Sequence, residues 1–115
     1  MLSDDLRKNL IEFRNRRDWK KFHTPKDLAL SLVIEAAELL ENFQWKTDEE
    51  VSRMLQSESR ERISEKIADI IIYLTYFCHD FGMDMNKIVI DKLKKNEEKY
   101  PAHRVRGSAK KYDEY

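Results

Sequence analysis

Apolar residues recur at helical spacing along most of the chain. In the first segment Leu6, Leu10 and Phe13 follow one another at intervals of three or four residues. This spacing places them on one face of an amphipathic helix, because an α-helix has about 3.6 residues per turn. The same period continues through the later segments, so the pattern predicts helices rather than strands.

Residues that start and stop helices divide the chain into four or five of them. Thr24 and Pro25 are typical of an N-cap and a first helical position, and Thr47 with Glu50 has the spacing of a capping box. The predicted helices run from about Ser3 to Arg17, from Thr24 to about Gln44, from Thr47 through Leu55, from about Ser59 to Phe81, and from Asp84 to the residue before Pro101. The tail from about residue 102 lacks this periodicity and is expected to be irregular.

These helices predict an all-α fold of the four-helix-bundle type, in one domain over residues 1–115. The chain has only two glycines and two prolines, and 38% of its residues are charged. The second helix is expected to bury a wide arc that comprises Leu28, Leu32, Val33, Ala36, Ala37, Leu39, Leu40 and Phe43. An arc this wide needs more partner surface than one short chain offers, which predicts a homodimer or homotetramer.

Overall charge and hydropathy exclude several classes of partner. Lys+Arg and Asp+Glu are equal at 22 each, so no net field draws the chain to a nucleic-acid polymer or an anionic membrane. No stretch approaches the roughly 20 apolar residues that cross a bilayer, and the charged N-terminal segment lacks the apolar core of a signal peptide. We therefore expect a cytoplasmic protein in which the single cysteine, Cys78, packs as a small apolar residue.

Candidate metal ligands lie on the second and fourth helices. Glu35 and Glu38 border the apolar arc of the second helix, and their spacing lets both carboxylates reach one point beside it. Glu65 and Asp69 differ by about 40° on the wheel of the fourth helix. Acids among apolar residues must be hydrated, paired with a base or bound to a cation, and four acids without matching bases suggest a cation. Ligands that are all oxygen favour Mg²⁺, or Mn²⁺, over Zn²⁺. The alternative is a solvated stripe of acids, and spacing alone favours that alternative.

Four ordered blocks of sequence cover nearly the whole chain. They are FRNRRDWKKFHTPKDLALSL, EAAELLENFQWK, EKIADIIIYL and KNEEKYPAHRVRGSAKKY. Together they resemble the MazG-like all-α nucleoside triphosphate pyrophosphohydrolases, and within that family the dCTP pyrophosphatase-like branch. The resemblance implies the hydrolysis of a nucleoside triphosphate, of the dCTP-like pyrimidine type, to the monophosphate and pyrophosphate.

The same resemblance implies that Mg²⁺ is held by an ExxE pair and an ExxD pair. Glu35 and Glu38 match the first pair and are assigned as catalytic, with Glu38 preferred for orienting the attacking water. Asp69 matches the last ligand, but Lys66 stands where the family places a glutamate. Glu65 is the expected replacement. The alternative is that Lys66 impairs catalysis and leaves a helical module that binds nucleotide or metal without turnover.

A substrate pocket is also implied by the resemblance. Trp19 and Trp45 correspond to the aromatic walls around the base, although both would otherwise be interpreted as packing at helix ends. Arg104, Arg106 and the later lysines of the tail either add positive charge near the leaving group or merely solubilise the chain. The residues expected to line the base, sugar or phosphates are His23, Tyr73, Lys92, Asn96 and Tyr100.

Overall fold

A computed structural model describes residues 1–109, and every regular element in this part of the chain is helical. The all-α prediction is therefore confirmed. The elements are α1 (Asp4–Arg16), a 3₁₀ turn (Lys20–Phe22), α2 (Pro25–Glu41), α3 (Asp48–Met54), α4 (Ser59–Asp80), α5 (Met85–Lys99) and α6 (Ala102–Val105).

Side-chain caps explain where four of these helices begin. The Thr24 hydroxyl accepts from the backbone N–H of Asp27, with Pro25 in the first helical position. Thr47 and Glu50 form the predicted capping box at the start of α3, each bonding to the backbone of the other. The corresponding caps of α1 and α5 are Ser3 and Asp84.

The sixth helix differs from the sequence prediction. We expected an irregular chain from about residue 102, but Ala102–Val105 form one helical turn directly after Pro101. The Pro101 carbonyl accepts from the backbone N–H groups of Arg104 and Val105, at 2.9 and 3.2 Å. A single turn needs only these local bonds, so hydrophobic periodicity does not reveal it. The tail lysines Lys110 and Lys111 lie outside the described residues.

The chain divides into two compact units, which are described separately. One comprises Leu2–Phe81 with α1 to α4, and the other comprises Met1 and the chain from Gly82 onward with α5 and α6. Gly82 has a φ of +67°, a left-handed conformation that glycine adopts without strain and that ends α4. A single domain over residues 1–115 stays a prediction.

Helices α2 and α4 pack antiparallel in the first unit. The Arg62 Nε donates to Asn42 Oδ1 at 2.9 Å. The next contact joins Lys66, four residues after Arg62 on α4, to Glu38, four residues before Asn42: the Lys66 Nζ donates to Glu38 Oε2. Residue numbers on the two helices therefore run in opposite directions along their contact. Continuing this register by one turn places Asp69 level with Glu35.

Burial on α2 is less extensive than predicted. Leu28 is 1% exposed, but Val33 and Leu40 are each 65% exposed. Ala36 and Ala37 are exposed as well. The burial prediction is therefore wrong for these four residues within a single chain, because α2 contacts mainly α4 and its outer side chains have no cover there. Cys78 is buried as expected, and burial raises the pKa of its thiol. In residues 1–109 no helix combines the length and apolar character that crossing a membrane would require.

Candidate active site

The acidic pair of α2 lies against a lysine of α4. The Lys66 Nζ donates to Glu38 Oε2 at 2.5 Å and to Glu35 Oε2 at 3.3 Å. The three side chains are half-buried, with exposed fractions of 28% for Lys66, 17% for Glu35 and 37% for Glu38. The hydrogen bond to Glu38, together with the bond to Glu35 and the charge of both glutamates, raises the pKa of Lys66 to about 12 against the opposing effect of desolvation. Lys66 is therefore an ammonium throughout the neutral range.

The other two predicted ligands lie on the same helix as Lys66. Asp69 is half-buried at the level of Glu35, whereas Glu65 is exposed. Among the described residues, no three His, Cys, Asp or Glu side chains are grouped so that they could hold a metal ion. The structure thus brings Glu35 and Glu38 together with Lys66, and it does not gather the four expected acids into one cluster.

A cavity of about 440 Å³ opens beside this pair. It is lined by Glu38, Glu41, Asn42, Lys46, Arg62 and Lys66. The Asn42 amide donates to the Glu38 carbonyl at 3.0 Å and accepts from Arg62, so it links the end of α2 to α4. Sequence reasoning missed Arg62, because an arginine on a charged helix carries no signal of its position until the pairing of α2 with α4 is known.

The donor atoms of the site fit a hard divalent cation in their chemistry, but their arrangement in the described residues does not gather three of them around one point. Carboxylate oxygens are the ligands that Mg²⁺ prefers, and Glu35, Glu38 and Asp69 supply them from facing helices. The Oε2 atoms of Glu35 and Glu38 are bound to the Lys66 ammonium in this structure. Binding of Mg²⁺ by these oxygens therefore requires the Lys66 side chain to turn away.

The two tryptophans lie beyond opposite ends of α2. Trp19 precedes the helix and meets Phe13 edge to face, with ring centroids 5.7 Å apart. Trp45 follows the helix, is 92% exposed and has a φ of +66°, which is unusual for a residue other than glycine. Since the 17 residues of α2 span about 25 Å, one chain does not place both rings on the same base.

His23 lies in a network that joins α1, the 3₁₀ turn and α4. The Arg14 guanidinium forms a two-pronged pair with the Asp80 carboxylate, at 2.7 and 2.8 Å, and its Nη1 is 3.4 Å from His23 Nδ1. The His23 ring lies 5.4 Å from the ring of Tyr76 and 6.3 Å from that of Tyr73. Sequence reasoning found His23 and Tyr73 but missed Arg14 and Asp80, which are 66 residues apart.

The remaining predicted pocket residues belong to the second unit. Lys92, Asn96 and Tyr100 are spaced by four residues and share one face of α5 and its C-cap. Asn96 and Tyr100 are half-buried, and Lys92 is exposed. Their contribution to a site with the acidic pair stays a prediction.

Comparison with known proteins identifies the family. The model of the MazG-like family matches residues 30–115, which include most of α2, all of α4 and the acidic pair. The chain belongs to the MazG-like family. A protein of solved structure, a pyrophosphatase from Archaeoglobus fulgidus, is 44% identical with a TM-score of 0.79, over 85% of this chain and 91% of its own.

Two sequence relatives are longer than this MazG-like chain. dCTP pyrophosphatase 1 of Rattus norvegicus is 41% identical over 110 residues, which are 95% of this chain and 65% of the rat protein. dCTP pyrophosphatase 1 of Homo sapiens is 40% identical over 112 residues, which are 96% of this chain and 66% of the human protein. The chain thus spans just under two thirds of the length of these relatives.

Proposed function

We propose that this chain is a nucleoside triphosphate pyrophosphohydrolase that acts on a (deoxy)nucleoside triphosphate, of the dCTP-like pyrimidine type, in an Mg²⁺-dependent reaction. The observation that carries the proposal is the half-buried pair of Glu35 and Glu38 beside a cavity lined by Lys46 and Arg62, within the segment that matches the family. The names of the rat and human relatives support the activity and the pyrimidine substrate.

The acidic residues have different roles in the proposed reaction. Glu35, Glu38 and Asp69 would hold Mg²⁺, or Mn²⁺ in its place, and Glu65 stays a predicted further ligand. The ion supplies positive charge that offsets the charge developing on the phosphoryl oxygens. Glu38 orients a water molecule and accepts its proton as the water oxygen bonds to the α-phosphorus. The bond from that phosphorus to the bridging oxygen breaks, and pyrophosphate leaves.

The separation of the two tryptophans supports a site assembled from more than one copy of the chain. Trp45 lies seven residues beyond Glu38, near the acidic end of α2, whereas Trp19 lies beyond the other end. If both rings flank one base, they come from different copies. Large exposed side chains on α2 and α5 agree with a homodimer or homotetramer; they are Leu30, Val33, Ile34, Leu40, Ile88, Val89, Ile90 and Leu93.

A second candidate function is favoured by Lys66. Its ammonium binds the two glutamate oxygens that would otherwise bind the divalent ion. If this contact persists when nucleotide is present, the chain binds nucleotide through its aromatic and basic residues without turning it over. The two candidates share a substrate class but differ in whether the nucleotide is hydrolysed.

The balanced charge supports the remaining partner predictions. With 22 basic and 22 acidic residues the chain has no net field for a nucleic-acid polymer or an anionic membrane. We therefore propose free nucleotide as the partner. The cytoplasm stays the proposed location.

Pyrophosphate release from a panel of nucleoside triphosphates, with Mg²⁺ or with a chelator, tests the enzymatic function. We expect wild-type protein to release pyrophosphate from dCTP only with Mg²⁺, and we expect Glu38→Gln to lose at least about a hundredfold in rate, as is usual for a catalytic carboxylate. Glu12→Gln is the matched control, because Glu12 forms an ion pair with Arg16 on the exposed surface of α1. Equal release by wild type and Glu38→Gln would refute the assignment.

The melting temperature with and without Mg²⁺ separates the enzyme from the non-hydrolysing binder. A ligand of the folded state raises it by mass action. We expect Lys66→Glu to gain a larger Mg²⁺-dependent rise than wild type, because the substitution removes the competing ammonium. If the wild type binds dCTP, shows no change in melting temperature with Mg²⁺ and releases no pyrophosphate, the chain is the non-hydrolysing binding module.

A further inference from the structure

The ion pair of Arg14 and Asp80 is unusually well buried. The side chains are 1% and 6% exposed, and the Arg14 guanidinium carbon also lies 4.4 Å from the centre of the Tyr76 ring. Among the described residues, the buried Nε of Arg14 has no hydrogen-bond partner. Apolar residues of the same size often stabilise a core as well as a buried ion pair does. The position of this pair therefore calls for a role besides filling the core.

The contact between Arg14 and His23 indicates such a role. Its Nη1 carries two hydrogens; one is donated to Asp80 Oδ2 at 2.8 Å, and Nη1 also lies 3.4 Å from His23 Nδ1. A guanidinium donates hydrogen bonds and never accepts them. In that contact Nδ1 must therefore be the unprotonated nitrogen, so a neutral His23 carries its proton on Nε2.

The surroundings of His23 also favour the neutral form of its ring. Burial and the positive charge of Arg14 lower the pKa of His23, while the negative charge of Asp80 opposes them. The other titratable neighbours are the phenols of Tyr73 and Tyr76, whose rings flank the imidazole. Tyr76 is itself fixed, because its hydroxyl donates to the Leu10 carbonyl at 2.9 Å.

The opposite side of the imidazole faces away from the ion pair. Nε2 lies across the ring from Nδ1, and His23 is only half-buried. Tyr73, beside it, follows Asp69 by one turn of α4 and shares its face. His23 lies nearer to Tyr76 than to Tyr73, so its ring is one to two helical turns beyond Asp69, towards the N-terminal end of α2. A nucleotide whose phosphates meet the acidic pair of α2 reaches this ring if its sugar and base extend towards that end.

We propose that Arg14 and Asp80 are positioning residues that fix His23 as the tautomer protonated on Nε2, so that His23 donates a hydrogen bond to an oxygen of the nucleotide's sugar or base. This role of His23 rests on the proposed function, whereas the tautomer itself does not. Asp80 orients the guanidinium, the guanidinium selects the tautomer, and the tautomer determines that the ring presents a donor rather than an acceptor.

Nitrogen-15 NMR of the imidazole rings tests the tautomer in the wild-type chain without nucleotide. The chain has three histidines, and a His23→Asn sample assigns the signals of His23. We expect an unprotonated Nδ1 and a protonated Nε2 at neutral pH. In the double variant Arg14→Met/Asp80→Leu, which replaces both charges together, we expect mixed tautomers, whereas Arg7→Met, which breaks an exposed pair, leaves the signals of His23 unchanged. A proton on Nδ1 in the wild type would overturn the proposal.

Two substitutions of His23 test the donor. The amide nitrogen of glutamine can take the place of Nε2, and that of asparagine the place of Nδ1. We expect the KM of His23→Asn for dCTP to exceed that of His23→Gln about tenfold, as for one lost hydrogen bond, with a smaller difference in kcat. Equal KM values would refute the donor role. If the wild type does not hydrolyse dCTP, the proposed function fails, while the NMR result still decides the tautomer.

Discussion

Replacing Asp80 by asparagine should destabilise the protein more than any comparable surface change. The substitution removes the negative charge but leaves the Arg14 guanidinium, which is 1% exposed, without a counter-charge. Breaking one partner of a buried ion pair costs about 3–5 kcal/mol. For 115 residues the whole free energy of unfolding is on the order of 6–17 kcal/mol, so Asp80→Asn removes a large share of it.

Urea denaturation and thermal melting at fixed protein concentration measure this loss. A loss of that size corresponds to a fall in melting temperature of about 12–20 °C, at roughly 4 °C per kcal/mol for a chain of this length. Asp4→Asn is the matched control. Asp4 pairs with Arg7 at the same distance of 2.7 Å, but the two side chains are 79% and 49% exposed, and such pairs contribute about 0–1 kcal/mol.

A double substitution separates the unpaired charge from the lost packing. In Arg14→Met/Asp80→Leu no buried charge remains, so we expect most of the stability lost in Asp80→Asn to return. The reasoning is refuted if Asp80→Asn costs no more than Asp4→Asn, because the Arg14 guanidinium would then find water or another partner without penalty.

Three further predictions concern acid, the exposed tryptophan and assembly. The hydrogen bonds and charge of Arg14 lower the pKa of Asp80. The ionised Asp80 therefore contributes fully to stability above the ordinary aspartate pKa of about 3.9, and this contribution is lost as pH falls through the lower pKa of the folded state. In that acid range the urea midpoint of Arg14→Met/Asp80→Leu should fall less steeply with pH than that of the wild type. Trp45→Ala, at a side chain 92% exposed, should raise the KM for dCTP about tenfold through lost stacking and shift unfolding by under about 0.5 kcal/mol; unchanged KM contradicts a stacking role. Val33→Glu with Leu40→Glu, at two positions 65% exposed, should give a monomer by light scattering, and a wild type that is already monomeric refutes the assembly.

Local signals in the sequence were sufficient to predict the helices. The start of α2 depends on Thr24 and Pro25 and that of α3 on Thr47 and Glu50, and each cap forms between residues close together in the chain. Such contacts do not require knowledge of the tertiary fold. The one-turn helix after Pro101 was missed, because it is too short to show a period.

The candidate site was harder to predict, because it depends on which face of α4 packs against α2. The wheel of α4 groups Glu65 with Asp69, but it does not tell which side of α4 packs on α2. In the structure that side carries Ile63, which is 3% exposed, and Lys66 one turn later. Lys66 therefore reaches the acids of α2, and Glu65 is exposed.

Long-range pairs carried no signal at all. Arg14 and Asp80 are separated by 66 residues and lie in charged segments, where any basic and acidic residue could equally face solvent. The exposed arc of α2 has a related cause. Periodicity indicates that a face is apolar, but it does not indicate whether the same chain or another copy covers it.

Hydrolysis of dCTP in water enriched with oxygen-18 tests most directly whether the acidic pair of α2 supports attack on the α-phosphorus. With Mg²⁺ present, mass spectrometry should find one heavy oxygen in the nucleoside monophosphate and none in the pyrophosphate, and Glu38→Gln should yield neither product above background. Label in the pyrophosphate, release of nucleoside diphosphate and phosphate, or no turnover by the wild type would contradict the account.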